Sequence, residues 1–143
     1  MPTGRILIGV GAVIEDETGR VLLVMHLPKR GGYWQGKWIC PGGELELGET
    51  IPEGIRREIK EETGLDVTLT RPLPPFERIV MSGNQVSLHV VYIDYMAKLT
   101  GGALKAASDV GRAMWVEKEK LGSIAGELHE DTITLLAIAG IME

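Results

Sequence analysis

A single cysteine, Cys40, stands in the 143 residues, so no intrachain disulfide can hold the fold and folding does not depend on oxidation. No apolar run is long enough to cross a bilayer, and the most apolar late segment, ITLLAIAGIM, falls well short. The N-terminal MPTGRILIGVGAVIED lacks the long apolar stretch ending in small residues that marks a cleaved leader. There is no excess of basic residues either: the net charge is −5, which argues against a surface built for a nucleic-acid polymer. Repeats, low-complexity tracts and linkers are absent. These absences predict one domain spanning 1–143, cytoplasmic, with no membrane and no nucleic-acid polymer as partner. A small anionic substrate remains compatible, because bound cations reverse a local field.

What is present is ordinary in bulk, with 44% hydrophobic and 24% charged residues. RILIGVGAVIED and VLLVMHL, joined by the turn signal EDETGR, predict a β-hairpin buried on both faces. PKRGGYWQGKW reads as a polar, glycine-rich loop, and WIC as a short strand halted by PGG. A helix is predicted over 51–63, with Thr50 and Glu53 forming a capping box, Pro52 in the first turn and Gly64 as the left-handed C-terminal cap. Two strand regions follow around a Ser-Gly-Asn turn, the first interrupted by Pro72, Pro74 and Pro75 and so part edge strand or loop. AMWVEKEKL predicts a strand running into a helical turn, and EDTITLLAIAGIM an amphipathic helix. The order of elements is mixed α and β.

RREIKEETGL, inside the predicted helix, carries Glu58, Glu61 and Glu62. On a wheel with Ile51 at zero, Ile55 and Ile59 lie near about 40° and 80° and define the buried stripe. Glu62 then falls near about 20°, Glu58 near about 340° and Glu61 near about 280°, while Arg56, Lys60 and Glu53 take the opposite side. A solvated charged face would put the glutamates opposite the isoleucines. Carboxylates crowded at the rim of a core instead call for a compensating cation or proton. Hard divalent ions suit an all-oxygen set, Mg²⁺ first and Mn²⁺ next. Upstream, PGGELELGE offers two glycines where backbone can approach a ligand closely, or which serve only a tight turn.

Gly43, Glu49 and REIKEETGL at this spacing resemble the complete signature of the Nudix hydrolases, a box over 43–65. GVGAVI at 9–14 begins like a dinucleotide-binding motif but has Ile14 where its last glycine belongs. The likeness extends to VLLVMH, to WQGKWICPGGELELGE and to the late AMWVEKEKL. It implies an α+β protein, an α/β/α sandwich with a central mixed sheet and a loop-helix-loop catalytic motif. The implied chemistry is metal-dependent hydrolysis of a nucleoside diphosphate derivative. Glu58 and Glu62 then match the principal metal ligands, Glu61 is a further ligand, and the Gly42 carbonyl completes the set. Either Glu58 or Glu61 is the base that orients water. Arg57 is read as an orienter paired with Glu49 or Glu46.

Asp109, six residues before Trp115, matches a carboxylate that joins the metal site in several relatives; the other reading is an ordinary loop aspartate. His26 stands where many relatives carry arginine, so Lys29 and Arg30 are candidates for the phosphate contact, or are solvated loop residues. Trp34, Trp38, Phe76 and Tyr92 are candidates to stack on a base or to pack the core. Cys40 reads as core packing.

The resemblance is nearest the MutT-like branch, implying a nucleoside triphosphate, ordinary, oxidised or non-standard, cleaved to monophosphate and pyrophosphate. The alternatives are an ADP-ribose or nucleotide-sugar pyrophosphatase, and a Nudix-fold binding module without catalysis. Modules of the last kind usually substitute box glutamates, and none is substituted here. Many relatives are homodimers.

Overall fold

The structure is a computed structural model that describes residues 4–26, 33–105 and 110–143. Its strands are β1 (Leu7–Glu15), β2 (Val21–His26), β3 (Trp38–Ile39), β4 (Gly42–Glu44), β5 (Leu65–Pro72), β6 (Phe76–Ser82), β7 (Gln85–Gly102) and β8 (Val110–Val116). Helix α1 (Ile51–Thr63) lies between β4 and β5, and α2 (Glu130–Ile138) follows a kinked 3-10 segment, Lys118–Glu127.

All eight strands form one mixed sheet ordered β3-β2-β1-β7-β5, with β4 on β1, β6 on β7 and β8 on β2. The β1–β7 pairing is parallel, in register from Leu7 against Val90 to Glu15 against Lys98, and the other ladders are antiparallel.

Alternation along β1 divides the core. Val10, Ala12 and Ile14 face Ile55 and Ile59 of α1, whereas Val13 joins Leu23, Trp38, Cys40, Leu135 and Leu136 on the face covered by α2. One helix therefore lies on each side of the sheet, which is the sandwich the resemblance implied.

Helix α1 keeps its predicted bounds. Thr50 accepts from the Glu53 N–H, the Glu53 side chain accepts from the Thr50 N–H, and Gly64 closes the helix at φ +77°. The predicted hairpin forms, antiparallel and closed by a turn in which Asp16 donates to the Arg20 carbonyl at 3.0 Å, but it is short. β1 and β2 meet only at Glu15 and Val21, because β4 takes the edge of β1 over Gly9–Gly11 and β2 turns to β3 and β8. Gly42 and Gly43, read as a strand stop, belong to β4.

β5 and β6 are one broken strand along β7: β5 pairs its second half, β6 its first. The break holds Pro74 and Pro75, which have no N–H for the ladder. Leu73 bridges it by donating to the Asp94 carbonyl at 2.9 Å. α2 is shorter than its apolar tail, ending at Ile138, with Gly140 at φ +78°.

Candidate active site

The site is assembled where the loop before α1 folds back over its middle turn. Arg57 Nε and Nη2 hold both oxygens of Glu49, at 2.5 and 3.0 Å. Its Nη1 donates to Glu58 at 2.8 Å and Glu61 at 3.2 Å, and Nη2 also donates to the Glu44 carbonyl at 3.0 Å. Glu46 stands farther off, at 3.6 Å. Of the two partners expected for Arg57, Glu49 is thus the bidentate one. Its hydrogen bonds from Arg57 hold the Glu49 carboxyl below the usual range. Gly54 leaves the room Glu49 needs, since a Cβ there would stand 3.0 Å from its Oε1 and 2.7 Å from Leu45.

The paired glycines seat the other two carboxylates. Gly42 donates its N–H to Glu62 Oε1 at 3.0 Å. The Pro41 carbonyl and the Leu45 N–H bond to β1, so ladder alternation turns the N–H and C=O of Gly42 away from β1. A Cβ on Gly43 would collide with the Glu58 carboxylate, which rests directly against that backbone. His26 Nε2 lies 3.2 Å from Glu62 Oε2.

Burial follows the wheel in part. Glu62 is buried, at 8% exposure, and Glu58 is half-buried. Glu61 is exposed, because about 280° lies past the rim that the sheet covers. Burial, opposed by the hydrogen bond from Arg57 and reinforced by Glu62 and Glu61, pushes the Glu58 carboxyl up. Among the described residues no three acidic, His or Cys side chains converge as a finished ligand set. The donors nevertheless fit a hard divalent cation. They are carboxylate oxygens beside an outward-turned Gly42 carbonyl, and their mutual repulsion is relieved by added positive charge.

A cavity of ≈ 310 Å³ adjoins this edge, with Gly42, Gly43, Glu44 and His26 among its lining. Trp34, Phe76 and Tyr92 line it as well, together with aliphatic side chains of β1 and α2. Phe76 and Tyr92 stack with centroids 4.7 Å apart. Trp34 lines the cavity, while Trp38, also a candidate to stack or to pack, is core, with Arg112 over its ring. Lys29, Arg30 and Asp109 lie outside the described residues.

Two acidic residues of the cavity lining, Asp131 and Asp94, escaped the sequence reading. Asp131 takes hydrogen bonds from Tyr92 at 2.5 Å and Arg78 at 2.7 Å, and Trp34 donates to the Tyr92 hydroxyl at 2.8 Å. Tyr33 donates to Glu130 at 2.8 Å. Asp94 is 7% exposed, and burial pushes its carboxyl up to about 7. The signal for Asp94 was its phase. An acid two residues from Tyr92 and two from Met96 shares their inward face in a strand.

The NUDIX domain family model matches residues 5–136. The "ADP-ribose pyrophosphatase" of Methanocaldococcus jannaschii is 31% identical over 126 residues, covering 88% of this chain and 70% of its own length. The "Nucleoside triphosphatase NudI" of an Enterobacter species is 27% identical over 135 residues, covering 90% of this chain and 94% of its own. Two other relatives are longer, and the chain spans 60% and 27% of them. A solved NUDIX hydrolase from Nitrosomonas europaea shares the fold, with TM-score 0.77 over 95% of this chain and 89% of that one at 22% identity. A family match over 5–136 and a 31%-identical relative across most of the chain place this protein in the NUDIX domain family, as a Nudix hydrolase.

Proposed function

We propose that the enzyme hydrolyses a nucleoside triphosphate to the monophosphate and pyrophosphate, with Mg²⁺ as its cation. The observation that carries this is an aromatic-lined cavity whose lining includes the β4 glycines against which Glu58 and Glu62 are seated. A base held in the cavity presents its phosphates at that edge. The full-length similarity to a nucleoside triphosphatase supports the same choice.

Glu58, Glu62, Glu61 and the Gly42 carbonyl would hold the metal. When bound, it neutralises phosphate oxygens and makes the attacking water more acidic. The chain supplies the rest. Arg57 fixes one oxygen of Glu58, leaving the other for the metal or for the water proton. The Gly42 N–H fixes one oxygen of Glu62. His26, which lines the cavity and lies beside Glu62, would meet a phosphate oxygen. The oxygen of water joins phosphorus as one bridging P–O bond breaks, and the water proton leaves through Glu58 or Glu61.

The ADP-ribose relative favours a second reading, hydrolysis of ADP-ribose or a nucleotide sugar. A panel of nucleoside triphosphates, ADP-ribose and nucleotide sugars, ranked by kcat/KM with Mg²⁺, separates the two. Triphosphates are expected to lead, with pyrophosphate as product; an ADP-ribose lead reverses the order. Glu62→Gln is expected to lower kcat by about 10²- to 10³-fold with the fold intact, as loss of a principal electrostatic group does. Unchanged turnover in that variant removes Glu62 from the metal site.

A further inference from the structure

β1 has glycine at the two positions paired with Tyr92 and Asp94, Gly9 and Gly11. A Cβ at Gly11 would stand 2.9 Å from Asp94 Oδ1 and 2.6 Å from the Pro41 carbonyl; at Gly9 it would touch the Tyr92 ring at 3.4 Å. The GVG run therefore has a local cause. It clears the cavity floor around one phenol and one carboxyl.

Tyr92 is fully engaged, by Trp34 and Asp131. The Asp94 carboxyl, by contrast, makes no side-chain hydrogen bond among the described residues, although it is 7% exposed and lines the cavity. Gln35, on the same lining, has a buried side-chain oxygen without a partner among those residues. Buried polar groups are ordinarily paired, and an unpaired one is costly. An unpaired, nearly buried carboxyl on the cavity lining calls for an occupant that brings donors to it.

We propose that Asp94 is the specificity-determining residue of this cavity and accepts hydrogen bonds from the paired N–H donors of a guanine ring. This rests on the nucleotide reading above. Among the common bases, guanine alone carries two neighbouring donors on one edge, the ring N1–H and the exocyclic amine. Adenine and cytosine set their amine beside a ring acceptor, which would face an ionised carboxylate lone pair to lone pair, so this discrimination belongs to pH above the raised Asp94 value of about 7. Uracil and thymine flank their one N–H with carbonyls. A carboxylate accepts through two parallel oxygens and so matches guanine in a bidentate pair. The flat rings of Trp34 and Phe76 line the same space.

The test exploits an exchange of complementarity. In Asp94→Asn one acceptor becomes a donor, and the new pair matches xanthine, which presents N1–H beside a C2 carbonyl. Calorimetric binding of GMP, IMP, XMP and AMP is measured for both proteins, beside turnover of GTP and XTP. Wild type is expected to bind GMP roughly 10- to 100-fold more tightly than IMP, XMP or AMP, and Asp94→Asn to prefer XMP by a similar factor. An unchanged ranking in a folded variant overturns the assignment. Wild type alone overturns it if GMP holds no advantage over IMP, whatever the variant does. Turnover of triphosphates without the ranking retains the proposed reaction and discards the role of Asp94; the ranking without turnover does the reverse.

Discussion

An arginine side chain has five N–H donors, and Arg57 uses all of them: two on Glu49, one each on Glu58 and Glu61, and one on the Glu44 carbonyl. The side chain thus joins loop, helix and β4 end in one rigid unit. Its ionised form is strengthened chiefly by Glu49. Lysine would keep the charge but offers a point where the site needs a fork. Arg57→Lys is expected to lower kcat by about 10- to 100-fold and to raise the Mg²⁺ concentration for half-maximal rate, the usual effect of losing a group that orients ligands. Far-UV circular dichroism should remain that of wild type. An unaltered Mg²⁺ titration would mean that Arg57 holds the loop without aiming Glu58.

The elements whose determinants lie within one or two turns were legible. Helix α1 begins and ends where Thr50, Glu53 and Gly64 predict, because a capping box and a left-handed cap are made by residues three or four apart. β4 was not legible. Gly-Gly is locally a strand stop, and only the free edge of β1, some thirty residues upstream, makes it a strand. That pairing is what brings Gly43 under Glu58. Gly43 has no positive φ, so alanine is permitted by the backbone, and the nearest atoms it would meet are those of the Glu58 carboxylate. Gly43→Ala should therefore fold, since the obstacle is the movable end of a side chain. It should lose at least ~10-fold in turnover as Glu58 is displaced. Full activity would show that the glycine serves the turn alone.

At the scale of the molecule, the glutamate half of the site was readable because it is encoded in one continuous stretch. The cavity was not, because its walls come from β1, the loop at Trp34 and Gln35, β6, β7 and α2. The linking bonds span long sequence separations: Arg78 to Asp131, Tyr92 to Asp131, Trp34 to Tyr92. They fasten α2 to the sheet beside the cavity, and Arg78 is the cation of that fastening. Asp131 is 4% exposed, so removing Arg78 leaves a buried carboxylate with Tyr92 as its main remaining partner. Arg78→Ala is expected to cost about 2–3 kcal/mol, the range for a hydrogen bond to a charged group. Arg78 lines neither the cavity nor the glutamate edge. The loss should therefore appear as a several-fold higher KM for nucleotide with kcat little changed, and as faster hydrogen exchange through α2. Arg78→Lys should restore part of both. If α2 exchanges at the wild-type rate while KM rises, the effect of Arg78 is electrostatic at a distance; if kcat falls instead, α2 and the glutamate edge move together.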